Sequence, residues 1–202
     1  MIDNYNKLPL GLFLDIDAIL QSDAEEIDKQ VRIIALLDDT TPEAVLALPL
    51  KEYAAKAAAT DFLRHDCPPV SAPSRVISGD LVLIPTKDFT NITTAQYVDF
   101  QTFSKGGNQK LPELIAVLLV PEGHKYNDGY DISQVVRVVR DLPLPEALGL
   151  NAFFFGQLVQ SIQASLTSLE SAAKTLPKQR RAELEKKAED LQSLLRSTGL
   201  PV

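Results

Sequence analysis

Apolar residues recur every three or four positions through most of this chain, a spacing that predicts a succession of helices. In LGLFLDIDAILQ, Leu12, Ile16 and Ile19 share one face. In DAEEIDKQVRIIALLDD, Ile27, Val31, Ile34 and Leu37 form a stripe, with acids crowded at the start where the helix dipole favours them. TTPEAVLAL carries a start signal, with Thr41 as cap and Pro42 in the first turn. The alanine-rich PLKEYAAKAAATDFLRHD predicts a further helix from about Pro49.

The pattern then changes. CPPVSAPS, residues 67–74, has three prolines and no helical period, which predicts a linker or extended connection. RVISGDLVLIPTKDF reads as a hairpin that turns at Ser78-Gly79-Asp80, with Pro85 confined to an edge or an end. TNITTAQYVDFQTFSKG returns to helix, capped by Thr93 or Thr94 and stopped by Gly106 and Gly107. LPELIAVLLV, residues 111–120, fits a buried helix or a buried strand, and Pro112 favours helix. DISQVVRVVRDL is a short amphipathic helix, and a long one follows with Leu158, Ile162, Leu166 and Leu169 as its stripe. Beyond Pro177, a last helix spaces Leu184, Ala188, Leu191 and Leu195 as a heptad-like seam.

The expected fold is therefore mainly α with a small β-hairpin (α+β), multi-helix, in two sub-domains. The expected boundaries are a helical region over 1–66, a linker over 67–75, a hairpin plus helical core over 76–176, and an accessory helix over 177–202.

Composition narrows the function classes. The chain has 202 residues, long enough to bury a real core, with a formal net charge of −7. That charge lacks the electrostatic footprint of a nucleic-acid binder. One cysteine, Cys67, cannot form an internal disulfide and suits a reducing compartment. Asp15 and Asp17 interrupt the first apolar run, which has no basic lead, and no stretch approaches the ~18 apolar residues of a membrane span. A cytoplasmic protein with no membrane and no nucleic-acid partner is expected.

The most site-like stretch is EGHKYNDGYD, residues 122–131. Aligned as a calcium loop on Gly129, it offers only Asp128 as a fitting ligand among His124, Tyr126, Asp128 and Val135. Zinc needs three or four close ligands, and the only other histidine is His65, near Cys67. A structural corner explains more. Asn127-Asp128-Gly129 is a turn signal, and Asp131 is an N-cap with Gln134 placed for a capping box. Tyr126 and Tyr130 are expected to pack their rings while their hydroxyls reach water.

The remaining motifs are weaker. His65, Asp66 and Cys67 are adjacent and do not face one another on a helix. SKGGNQK lacks phosphate-loop spacing, and KQRR with Glu183 and Glu185 reads as a solvated helix face. No catalytic, cofactor or metal residue is expected. The candidate partner-binding residues are Phe153 and Phe154 of the FFF run, which belongs mostly to the core, and Leu184, Leu191 and Leu195 of the seam.

Three segments resemble a group of tailed-phage and prophage proteins regarded as tail assembly chaperones or related tail proteins. They are LVLIPTKDFTNITTAQYVDFQTF, LPELIAVLLVPEGHKYNDGYDISQVV and ALGLNAFFFGQLVQSIQ. YNKLPLGLFLDI and EIDKQVRIIALLDDTTPEAVLALPL are similar to the same group, so the resemblance covers roughly residues 5–170. ITTAQYVDFQ and PEGHKYNDGYD are its most specific pieces. The resemblance implies a mainly helical fold with a small hairpin. It also implies a non-enzymatic protein that binds the hydrophobic tape-measure protein in the cytoplasm of a bacterial host and keeps it soluble while the tail tube polymerises. A structural virion component, a tail or connector subunit, is the alternative. Self-association into a homo-oligomer is compatible with either. No catalytic residues come with the resemblance, and the last helix lies outside it.

Overall fold

The computed structural model describes residues 1–87, 89, 92–175 and 186. They are mostly helical, with a small three-stranded antiparallel sheet. Close contacts divide the chain into two units. The first holds residues 1–85 and 93–152; the second holds, of the described residues, 86, 87, 89, 92 and those from 153 on.

The first unit begins with four helices: α1 (Leu10–Leu20), α2 (Glu26–Leu37), α3 (Pro42–Leu46) and α4 (Leu50–Ala59). Glu26 and Asp28 occupy the first turn of α2, as the helix dipole favours. The Thr41 hydroxyl accepts from the amide of Ala44 at 3.3 Å, so the α3 cap forms as its sequence indicates. Val31, Ile34 and Ala35 of α2 close a small core with Val45 of α3, and Leu48, Tyr53 and Ala57 pack against it.

Two expected stripes shift. In α1 the buried residues are Leu10, Gly11, Leu14 and Ile16, while Leu12 and Ile19 are half-buried. Ile27 leaves the α2 stripe altogether and is 51% exposed, because the buried face starts one turn later at Val31.

Asp38 fastens this region. Its carboxylate accepts from the Lys56 ammonium of α4, and Oδ1 lies 3.3 Å from the Met1 amino group. The side chain is only 12% exposed. The Lys56 bond holds the Asp38 carboxyl below the ordinary carboxylate range.

The expected hairpin is present. Strands β1 (Val76–Ser78) and β2 (Leu81–Pro85) pair antiparallel around Gly79, which has φ +57°. A third strand, β3 (Leu119–Pro121), pairs antiparallel with β2, so β2 is the central strand and Pro85 ends it. The apolar run 111–120 is thus both of the structures its composition allows. It is a helix, α6 (Leu111–Val117), that becomes a strand after Leu118.

Residues 114–119 are buried without a break. The helix α5 (Thr94–Phe103) packs on α6 and is capped by Thr93, whose hydroxyl accepts from the Gln96 amide at 3.1 Å. Gln96 is itself buried, and its side-chain amide donates to the carbonyl of Val117 at 2.7 Å. A helix end inside a core needs such a donor, since its last carbonyls lack intrahelical partners.

Helix α7 (Ile132–Asp141) buries Val135 and Val139 and packs on α1 and α6. The link from α7 to the long helix α8 (Leu144–Thr175) pairs with the entry to α1. The Leu10 amide donates to Leu142, and the Leu144 amide donates to Leu8, each at 2.8 Å. Residues 67–75, expected as a linker, run within the first unit, and the backbone of 70–72 lies against Gly149 of α8. In the second unit Leu158, Ile162 and Leu166 are buried, as their helical spacing requires. The side chain of Leu169 and the seam Leu184, Leu191 and Leu195 lie outside the described residues.

A Cβ on Gly149 would stand 2.5 Å from the Val70 carbonyl oxygen. Glycine to alanine in a helix ordinarily gains about 1 kcal/mol. Gly149→Ala should instead lose about 1 to 3 kcal/mol in urea unfolding, because backbone rather than a flexible side chain must move. Gly156→Ala, where a Cβ meets nothing within 4 Å, should be neutral or stabilising. Equal effects of the two substitutions would show that 70–72 does not pack on α8.

The depressed Asp38 carboxyl sets a pH dependence. Its contribution to stability is complete above the unfolded carboxyl value of about 3.9 and fades as pH falls toward the folded value. Asp38→Asn should lower stability near neutrality by about 1 kcal/mol and flatten the acid limb of a stability-versus-pH curve.

Candidate functional site

The stretch 122–131 is an ordered corner between β3 and α7. Gly123, Asn127 and Gly129 have φ +83°, +61° and +74°, so the chain reverses through three residues of positive φ. The His124 ring donates from Nδ1 to the carbonyl of Asp128 at 3.0 Å and meets the Tyr130 ring edge-on at 6.2 Å. The Asp131 carboxylate caps α7 by accepting from the Ser133 amide at 2.9 Å. Gln134 enters through its backbone, whose N–H donates to the Asp131 carbonyl at 3.0 Å.

The tyrosines behave differently from the sequence expectation that both hydroxyls reach water. Tyr126 is buried, and its hydroxyl donates to Asp99 Oδ2 at 2.6 Å, tying the corner to α5. Burial, and then the Asp99 carboxylate, push the Tyr126 phenol well above its ordinary value. The Tyr130 hydroxyl is also buried and has no well-formed hydrogen bond. Burial raises its phenol too, partly offset by the nearby Asn127 backbone.

Behind the corner lies a cleft of about 350 Å³ between α5, α6 and α7. Its walls combine Phe103, Ile132 and Val136 with Asp99, Glu113, Tyr126, Asn127 and Ser133. Glu113 Oε1 accepts from Lys110 Nζ at 2.8 Å, while Oε2 is buried without a hydrogen-bond partner.

A second, larger groove of about 440 Å³ opens where the end of α1 and one face of α2 meet the turn after α4. Leu20, Ile27, Ile33 and Leu63 line it together with the polar Glu26, Lys29, Gln30, Thr60 and Arg64. Leu20 is 47% exposed and Ile27 51%. Lys29 ties α1 to α2 here, donating to the Leu20 carbonyl at the end of α1 and to Glu26, each at 3.2 Å. The same charge suits the negative end of the helix.

Among the described residues, the other sequence candidates line neither cleft. His65 lies 3.7 Å from Asp61, and its carbonyl accepts from the Tyr5 hydroxyl at 2.7 Å. Burial pushes the Cys67 thiol up, away from a reactive thiolate. Among the described residues, no three His, Cys, Asp or Glu side chains converge as metal ligands. Phe154 is 2% exposed, so its ring is interior and not offered at the surface, whereas Phe153 is half-buried with its ring centroid 5.5 Å from that of Phe154. Both clefts went unread in the sequence. The one signal for the groove was Ile27, an apolar residue one turn ahead of a buried stripe.

No family model, curated protein or solved structure matches this chain. Among the described residues, no helix is long and apolar enough to cross a membrane.

Tyr126→Phe removes the bond to Asp99 and should cost about 1 to 2 kcal/mol. His124→Ala, at an exposed position, should change stability by less than about 0.5 kcal/mol. The raised Tyr126 phenol stabilises the fold fully below the unfolded tyrosine value of about 10, and that stabilisation is lost as pH rises beyond it. The alkaline loss should therefore be shallower in Tyr126→Phe than in the native chain. A cost equal to that of His124→Ala would show that the Tyr126–Asp99 bond does not hold the corner.

Proposed function

We propose that this chain is a non-enzymatic binding protein of tailed-phage tail assembly. It binds the tape-measure protein in the bacterial host and keeps it soluble until the tube forms. The family assignment rests on the resemblance of residues 5–170. The observation that carries a binding role is the groove at α1, α2 and the turn after α4, where Leu20 and Ile27 stand exposed in a lining that mixes apolar and polar side chains.

A half-open groove with Leu20, Ile27, Ile33 and Leu63 beside polar side chains suits an amphipathic helix laid along it, its apolar residues at helical spacing. Exposed apolar surface among polar residues is the mark of an interaction site. The polar groups of the 122–131 corner support the same reading from the other direction. Those of His124, Tyr126 and Asp131 are engaged in bonds that shape the corner, which leaves them to structure rather than to proton transfer.

Co-expression with the tape-measure protein tests this. The chain should raise the soluble fraction of that client and be absent from finished particles by mass spectrometry. Presence in particles at fixed copy number would identify a structural tail subunit instead. Leu20→Asp with Ile27→Asp should leave the fold intact, since both positions are exposed, and should weaken client binding at least about tenfold. Unchanged client binding by the double variant would remove the groove from the account.

A further inference from the structure

Strand β1 lies at the edge of the sheet. It pairs with β2 on one side, and among the described residues nothing pairs with its other side. The register fixes which of its backbone groups face outward. The Glu122 amide donates to the Val82 carbonyl at 2.8 Å, so Val82 and Ile84 turn their N–H and C=O groups toward β3. Pro121, which has no N–H, falls opposite Leu83, where β3 needs none. Leu81 and Leu83 then bond to Ser78 and Val76 of β1, and the N–H and C=O of Ile77 point away from the sheet. The Ile77 side chain is 70% exposed. Edge strands are ordinarily guarded by a charge, a proline or a bulge, and the Val-Ile-Ser of β1 carries none of these.

This edge is complementary to itself. An antiparallel pairing about a two-fold axis at Ile77 sets that residue opposite its equivalent in a second copy, where both N–H and both C=O groups bond. The same register sets Val76 opposite Ser78, and Arg75 opposite Gly79 and beside Asp80 of the second copy. Arg75 meets Glu122 through one nitrogen at 3.3 Å, which leaves it further N–H donors. Asp80 is exposed and has no cationic partner among the described residues. The two-fold axis repeats the Arg75–Asp80 approach at the other end, and no like charges meet. On the outer face Ile77 lies beside Val82, so the row continues into Ile77 and Val82 of the second copy, a run of β-branched side chains that suits a sheet.

We propose that two copies of this chain join edge to edge through β1, antiparallel about Ile77, in one continuous sheet of order β3-β2-β1-β1-β2-β3. A three-residue edge offers far less than the ~800 Å² per partner of a tight complex, so the dimer is weak and forms at high concentration. The pairing is separate from the groove at α1 and α2 and does not rest on its client.

Sedimentation velocity on the full chain from about 10 µM to about 1 mM, with two-dimensional amide NMR over the same range, tests this. The mass should rise with concentration from 22.2 kDa toward twice that value, and the shifts should centre on the Ile77 amide. Ile77→Pro removes an outward N–H and leaves the ladder to β2 intact, and Ile77→Lys brings two ammonium groups together at the axis. Each variant, confirmed as folded by its spectrum, should weaken self-association at least about tenfold, and Asp80→Lys should weaken it too. Three results would overturn the dimer: constant mass up to about 1 mM, self-association undiminished in both Ile77 variants, or concentration-dependent shifts that spare residues 75–79. Constant mass together with Ile77 shifts caused by an added capped peptide, Val-Thr-Ile-Thr-Val, would give the edge to a partner's strand and likewise overturn the second copy.

Discussion

The continuous burial of residues 114–119 is the constraint on which the rest of the first unit depends. Six consecutive interior residues bring six peptide groups with them, and each buried N–H and C=O requires a partner. No single regular element meets that requirement here. The chain runs as helix to Val117 and as strand from Leu119, and the change of structure happens inside the core. Two external supports make the change tolerable: the Gln96 amide on the Val117 carbonyl, and β2 alongside β3. Each fully buried leucine, isoleucine or valine there contributes about 2 kcal/mol of gross transfer free energy. The arrangement is worth its ordering cost only if both supports are in place.

The corner follows from this. A strand that leaves a buried segment must turn sharply to return α7 to the same core, and Gly123, Asn127 and Gly129 supply the positive-φ backbone for that turn. Tyr126 then anchors the turn to α5, the helix that also supplies Gln96. Both ties run from α5 to the segment 117–126, so one helix positions the end of α6 and the corner together. The cleft behind the corner is the space left where α5, α6 and α7 diverge, which is why its walls are part apolar core and part corner chemistry.

Much of this was legible in the sequence, for local reasons. Thr41, Thr93 and Asp131 cap helices as their positions indicate, because a cap is decided within three residues. The Gly79 turn and the stripe Leu158, Ile162, Leu166 likewise follow from short-range rules. What escaped was non-local. An unbroken apolar run has no period, so the switch from α6 to β3 could not be read from LPELIAVLLV. The Tyr126–Asp99 bond joins residues 27 positions apart, and the Gln96–Val117 bond joins residues 21 apart. The prolines of CPPVSAPS indicated a segment without helix, and none forms there, but only Gly149, far along the chain, reveals what that segment packs against. The site-like composition of EGHKYNDGYD reflects the several polar ties that one sharp corner requires.

The central claim is that the segment 114–119, held by α5 and β2, is the most strongly fixed part of the first unit. Hydrogen–deuterium exchange read by mass spectrometry on the native chain tests it directly. Peptides covering residues 113–121 should be among the last to exchange, at rates set by unfolding of the whole unit. Exchange there as fast as in the exposed turn at 104–110, while α1 and α2 stay protected, would show that the switch segment opens on its own and would contradict the account.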